Sequence, residues 1–365
     1  MNPIAGMGGR VGLKGTDGAL TLQRALELEA VPVSISRAVQ ALQELVTVKD
    51  LIQVMASPGE MGELEVLEAG LEPLVLGKIQ SGRTTAEDTK TAIREFMREE
   101  ADLILFAGGD GTARDIFSVV EQKIPVLGIP SGVKMHSSVF ALNPKKAGEL
   151  AALYVQNEAG LREGEVMDVD EDAFRENRLS ARLYGYLLVP FKREFIQQTK
   201  SGSSSAPSES IAQRVIAEYF VEGMDQAIYI LGPGTTTRSV AEVMGIKKTL
   251  LGVDVVKDRQ LLCADANEND LLELLNQGAA KIVVTPIGGQ GFIFGRGNQQ
   301  ISPEVIRRVG KKNVIVLATP NKLASLGIGA TLRVDTGDAA VDQMISGYIR
   351  IITGHCEEAV LRVEP

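Results

Sequence analysis

The stretch Leu103-Ile104-Leu105-Phe106-Ala107-Gly108-Gly109-Asp110-Gly111-Thr112 decides the reading of this chain. Its first five residues are wholly apolar, the pattern of a strand buried on both faces of a parallel sheet. Three glycines, one carboxylate and one hydroxyl follow without a linker, and a helical pattern opens at Ala113-Arg114-Asp115-Ile116-Phe117. Strand, glycine turn and helix in that order aim backbone N–H groups and a helix N-terminus at an anion, most often phosphate. Glycine lets the main chain approach the ligand closely and adopt positive φ. Asp110 then stands where a carboxylate holds Mg²⁺ or takes a proton from an attacking hydroxyl. A simple chain reversal at Asp110-Gly111 explains the same residues without a ligand.

A second glycine-rich loop opens the chain, Met1-Asn2-Pro3-Ile4-Ala5-Gly6-Met7-Gly8-Gly9-Arg10. Asn2-Pro3-x-x-Gly6 followed by Gly108-Gly109-Asp110-Gly111-Thr112 resembles the superfamily of NAD kinases and diacylglycerol or sphingosine kinases. The string from Asn2 to Gly18 and the segment Gly128-Ile129-Pro130-Ser131-Gly132-Val133-Lys134-Met135-His136 are most similar to its divergent branch of ATP- or polyphosphate-dependent NAD kinases. Superfamily members place the opening motif after a buried first strand. Here the chain begins with the motif, so a late start or a truncated sheet edge is expected.

Composition bounds the alternatives. A chain of 365 residues, 44% hydrophobic and 23% charged, implies a globular protein of two domains. A net charge of −9 argues against a nucleic-acid surface and against an anionic membrane as partner. No apolar stretch is long enough to span a bilayer, and the N-terminus lacks a signal-peptide pattern. Cys263 and Cys356 make neither a metal spacing nor a disulfide framework, which points to a reducing cytoplasm. The expected partners are small molecules, NAD and ATP, and the expected assembly is a homo-oligomer.

The first third alternates helical and buried-strand patterns, which is βαβ logic and predicts a doubly wound parallel sheet. Helices are expected at 20–29 and 35–46, and from a capping box at Thr84-x-x-Glu87 to about Glu100. Strands are expected at 51–56, 73–76, 103–107 and 125–129. The predicted boundary falls after residue 143, giving an N-terminal donor-binding α/β domain (1–143). A second α/β domain (144–365) is expected to contribute the acceptor site, with a C-terminal segment free to return to the first. A polar loop spans 197–208 and reads either as a lid or as ordinary surface. Ser210-x-x-Gln213 predicts the next helix start, and strands are expected at 227–231, 249–256, 281–285 and 314–318. This second half departs from the β-rich second domain of the better-known NAD kinases, so no acceptor motif is carried across.

Phosphoryl transfer needs a cradle for the donor phosphates, a divalent cation and an acceptor hydroxyl held in line. The resemblance implies that Gly108, Gly109, Gly111 and Thr112 hold the donor, ATP or polyphosphate, while Asn2 and the Gly6, Gly8 and Gly9 loop close over it. It implies that Asp110 is the essential carboxylate, acting on the acceptor hydroxyl or on Mg²⁺, and that its loss costs rate more than fold. Arg10 and Lys14 suit phosphate charge and Asp17 a further metal ligand, though a solvated loop explains them equally. Ser131, Gly132, Lys134, His136, Ser137 and Ser138 form a polar cluster fit for a second phosphate or a ribose. A lone His is more often structural than catalytic, and His355 reads as structural. Gly232-Pro233-Gly234-Thr235-Thr236-Thr237-Arg238 repeats the strand–glycine–helix layout, with Gly234, Thr235 and Thr236 as candidate anion binders or simply a helix cap. Arg296 and Asn298 lie in a glycine-rich stretch that is either an acceptor contact or a plain loop.

The leading expectation is transfer of a phosphoryl group to the 2′-hydroxyl of NAD. A kinase for another sugar or polyol and a nucleotide-binding sensor without turnover remain open. A lipid kinase lacks the basic amphipathic helix it would need.

Overall fold

The computed structural model describes residues 1–13, 19–82, 84–120, 122–133, 135–169, 181–192, 195–196, 207–249, 251–287, 289–327 and 329–365. Two units form, one of Met1–Met7 with Gly15–Thr199, the other of Gly8–Lys14 with Lys200–Pro365. The division falls later than the expected 143/144 boundary because the helix and ribbon after residue 143 pack with the first unit. The C-terminal segment stays wholly in the second.

In the first unit the described elements are α1 (Ala19–Glu27), α2 (Ser34–Leu45), β1 (Val54–Ala56), α3 (Glu63–Glu68), β2 (Pro73–Val75), α4 (Ala86–Arg98), β3 (Ile104–Gly108), α5 (Asp110–Val120), β4 (Val126–Pro130), α6 (Pro144–Val155), β5 (Gly160–Val169) and β6 (Ala181–Phe191). The parallel pairing expected of βαβ units is present as β1 with β2 and β3 with β4. All five residues of β4 are buried, as a strand covered on both faces requires. Phe106 of β3 and Phe140 meet at 5.4 Å between ring centroids, inside a core that takes Ile116 from α5 and Leu150 from α6. β5 and β6 form an antiparallel ribbon. The helix start predicted at Thr84 shifts by one residue: Thr85 and Asp88 make the capping box, while Glu87 pairs with Lys90 on the surface.

The second unit holds α7 (Pro207–Glu222), β7 (Ile228–Leu231), α8 (Thr235–Val243), β8 (Asp254–Lys257), β9 (Gln260–Cys263), α9 (Glu268–Leu274), β10 (Ala280–Val284), β11 (Phe292–Phe294), α10 (Pro303–Val309), β12 (Val314–Leu317), α11 (Pro320–Ala324), β13 (Leu332–Val334), α12 (Ala339–Ile345), β14 (Gly347–Gly354) and β15 (Glu357–Glu364). They build one nine-stranded mixed sheet in the order β11-β13-β15-β14-β12-β10-β7-β8-β9. β7, β10 and β12 are adjacent and parallel. Ile228 and Ile230 turn to one face of that sheet and Tyr229 and Leu231 to the other, each into its own apolar cluster. Helices therefore cover both faces, α7 and α8 on one, α9, α10 and α12 on the other.

The strand expected from residue 249 begins only at Asp254. The Asp254 carboxylate accepts from Thr249 N at 2.7 Å, Thr249 Oγ1 at 2.8 Å and Asp265 N at 2.8 Å. It also faces the buried Lys248 ammonium at 3.6 Å. These bonds tie Thr249 and Asp265 to the first residue of β8. Ser302 caps α10 as its Ser-Pro-Glu sequence predicts, its Oγ accepting from Val305 N.

Candidate active site

β3 runs straight into α5 through Gly108 and Gly109, so the glycine turn is itself the start of a helix whose first residue is Asp110. The amides of Gly109, Asp110, Gly111 and Thr112 find no acceptor among the described residues, as the first turn of a helix leaves them. Those four donors and the helix dipole make an electropositive patch at the carboxyl end of a parallel strand. β4 ends at the same edge, where Gly108 pairs with Pro130 and its carbonyl accepts from Ser131 N and Gly132 N. The Ser131 and Gly132 amides are thereby spent on the turn rather than on a ligand.

The N-terminal loop is held against this turn. Asn2 N donates to Ala107 O at 3.0 Å, and Asn2 Nδ2 donates to Thr112 Oγ1 at 3.1 Å. Gly6 has φ +77°, and a Cβ there would stand 2.0 Å from the Ser131 carbonyl oxygen. Only glycine fits that approach. Gly8 and Gly9 instead belong to the second unit, where a Cβ on Gly9 would stand 3.0 Å from Gln299 Cβ. Of the four loop residues expected over the donor, the structure brings Asn2 and Gly6 to the turn, while Gly8 and Gly9 group with the second unit. Arg10 is exposed, and Lys14, Asp17 and Lys134 lie outside the described residues.

Asp110 is buried, and its carboxylate is engaged by four donors. Oδ2 accepts from His136 N at 2.7 Å and lies 3.2 Å from His136 Nδ1. Oδ1 accepts from Ser137 N at 3.0 Å and Ser137 Oγ at 2.6 Å. A carboxylate offers about four lone-pair positions, so these donors fill it. The metal-binding and hydroxyl-facing roles expected of Asp110 thus meet a carboxylate with no vacant lone pair. Nor is its role separable from the fold, because it ties the α5 N-terminus to the chain after β4. Ser137 extends the tie, its Oγ accepting from Met167 N of β5 at 2.9 Å.

In the second unit α8 begins at Thr235 rather than Arg238, with Gly234 (φ +133°) as the residue before it. A Cβ on Gly234 would stand 2.3 Å from Thr285 Cγ2. Thr235 Oγ1 accepts from Gln213 Nε2 at 3.0 Å, which draws Gln213 away from the capping role expected at residue 210. Thr236 Oγ1 lies 3.5 Å from Thr285 Oγ1, which accepts from Lys322 Nζ at 3.0 Å. Thr285 and Lys322 were not visible as partners in the sequence. They follow β10 and β12, and only the strand order sets them beside the end of β7. The buried Glu209 carboxylate closes the group, accepting from Thr319 Oγ1 at 2.6 Å and Asn321 Nδ2 at 3.3 Å. Arg238, expected at an anion, pairs instead with Glu242 on the helix surface.

Two other candidates serve the fold. Arg296 makes a buried ion pair with Asp335 at 2.7 Å, over the Phe292 ring. Asn298 brackets its own loop, accepting from Gly295 N and donating to Ile293 O. The His355 ring meets that of Tyr219 at 5.2 Å between centroids, tilted by 57°. No helix among the described residues is long and apolar enough to cross a membrane.

Residues 23–159 match the ATP-NAD kinase N-terminal domain, and residues 224–363 match the ATP-NAD kinase C-terminal domain. No curated protein matches the chain. The second half, which reads as a departure on sequence pattern alone, is therefore covered by the family as well. A glycine turn that opens α5 with unclaimed amides, and matches to both domains of one kinase family, make this chain a member of the NAD kinase family, a phosphotransferase acting on a hydroxyl group.

Proposed function

We propose that the first unit grips the phosphates of ATP or polyphosphate at Gly109, Asp110, Gly111 and Thr112, and that the terminal phosphoryl group passes to the 2′-hydroxyl of NAD. The observation that carries this reading is the α5 N-terminus: four amides without an acceptor, bordered by Asn2 and Gly6, on the strand end where α/β proteins bind ligands. Asp110 is the carboxylate on which transfer depends, through the groups it holds. Gly234, Thr235 and Thr236, joined by Thr285 and Lys322, take an anionic group of the acceptor in the second unit.

A divalent cation is usual for this chemistry. The carboxylate expected to hold it is filled by residues 136–137. No group of three or more His, Cys, Asp or Glu suited to a metal occurs among the described residues. The described residues do not by themselves form a cation site, and no step is derived through one. The free thiols of Cys263 and Cys356 suit a reducing compartment such as the cytoplasm.

Incubation with Mg²⁺ and ATP or polyphosphate against NAD, NADH, sugars and diacylglycerol tests the reading. NADP formation is expected. Phosphorylation of a sugar or polyol alone would move the acceptor to that class, and tight ATP binding without turnover would make the protein a sensor.

A further inference from the structure

Ser34, the first residue of α2, donates from Oγ to Pro3 O at 3.0 Å and so fastens the helix to the N-terminal loop that borders the glycine turn. One turn further along, Arg37 Nη1 donates to Pro130 O at 2.9 Å. Pro130 is the last residue of β4 and pairs with Gly108, the last of β3. The turns beyond the two strands abut, since a Cβ on Gly109 would stand 3.3 Å from Gly132 Cα. The guanidinium therefore lies at the strand edge that carries the unclaimed α5 amides. It is 8% exposed, and among the described lysines and arginines of the first unit only Arg37 is buried.

That edge needs positive charge. The chain carries −9 overall, and a helix N-terminus supplies only about half an elementary charge, whereas a triphosphate or polyphosphate tail carries several negative ones. Of the basic residues that the sequence offers for the task, Arg10 is exposed, and Lys14 and Lys134 lie outside the described residues. Arginine presents a planar, charged fork of N–H donors that matches two phosphate oxygens, and a buried charge is screened less than an exposed one.

We propose that Arg37 is the cation that binds the donor's phosphates, beside the amides of Gly109, Asp110, Gly111 and Thr112. This inference rests on the donor site of the kinase reading above and adds to it a residue outside both glycine motifs. The bond to Pro130 O fixes where the charge stands, and Ser34 ties the same helix to the loop at the site. Affinity then grows with the number of phosphates: ATP binds more tightly than ADP, and ADP more tightly than AMP.

Isothermal titration calorimetry of the full-length protein with ATP, ADP and AMP reads this without turnover. Arg37→Met keeps the apolar stem and removes the charge. It is expected to weaken ATP binding roughly tenfold to a hundredfold, the worth of a hydrogen bond to a charged group, and AMP binding far less. Arg37→Gln, which keeps a donor for the Pro130 carbonyl, is expected to behave like Arg37→Met, and Arg37→Lys to retain most of the ATP affinity. A merely structural Arg37 would weaken all three nucleotides alike and lower the melting temperature with them. That result, or wild-type ATP affinity in either neutral variant, overturns the proposal. Equal wild-type affinity for ATP and AMP overturns it without any variant. Wild-type protein that binds the nucleotides in the expected order yet forms no NADP would instead overturn the kinase reading, and the Arg37 result would stand.

Discussion

Asn2 and Thr112 are separated by 110 positions in the chain and joined by a 3.1 Å hydrogen bond from Asn2 Nδ2 to Thr112 Oγ1. The bond fastens the N-terminal loop to the first turn of α5, and Gly6 seats the same loop on Ser131. Asn2→Ala is expected to cost about 1 kcal/mol, the usual worth of one hydrogen bond. Gly6→Ala, forced into left-handed backbone against a carbonyl, is expected to cost on the order of 1–3 kcal/mol. Both should raise KM for the phosphoryl donor. Denaturant midpoints and donor titrations check the pair, and unchanged donor KM in both would detach the loop from the site.

In the second unit Lys322→Met removes the ammonium that donates to Thr285 Oγ1. The same ammonium on the acceptor's anionic group would make a charged hydrogen bond worth about 1.5–3 kcal/mol, so KM for NAD should rise roughly tenfold or more. The donor KM should not move. Steady-state kinetics with each substrate varied in turn separates the two.

The Lys248–Asp254 pair is buried on both sides. Asp254→Ala removes the buried carboxylate that faces Lys248 and takes the acceptor from three donors, and should destabilise the protein by ~3–5 kcal/mol. The measurement is urea unfolding of the variant beside wild type. A loss under 1 kcal/mol would mean water reaches the pair.

Asp225 is held down to about 2, first by its hydrogen bond from Lys281, then by Ala227 N and the Tyr229 hydroxyl. Because the folded value lies below the ordinary one, the stabilisation is complete above the unfolded value near 3.8 and fades as pH falls toward 2. Wild type should therefore exceed Asp225→Asn in melting temperature at neutral pH, with the gap closing between those two values. A gap that persists unchanged to pH 2 would contradict the ion pair as its cause.

The β3–turn–α5 unit was legible because its information is local: an apolar run, then glycines, then a 3.6-residue period. The N-cap at Ser302 was legible for the same reason. Capping boxes at Thr84 and Ser210 were misplaced by a few residues, since several side chains near a helix start can cap it and packing chooses among them. What local pattern could not give is what Asp110 touches. Its partners His136 and Ser137 sit 26 and 27 positions away, brought in by the pairing of β3 with β4. Lys322 and Thr285 were hidden similarly, because they become neighbours of Thr236 only through the order of β7, β10 and β12. The strand expected from residue 249 starts only at Asp254, because Thr249 spends its amide and hydroxyl on the buried Asp254 carboxylate.

The central claim is that phosphoryl transfer runs at the α5 N-terminus through the Asp110 carboxylate. The decisive measurement is NADP formation by wild type and Asp110→Asn, at a temperature where circular dichroism shows both folded. The account predicts turnover by wild type and a kcat lower by ~10²–10⁴-fold in the variant, with a lowered melting temperature from the lost charged hydrogen bonds. A folded Asp110→Asn protein that makes NADP at the wild-type rate would contradict it.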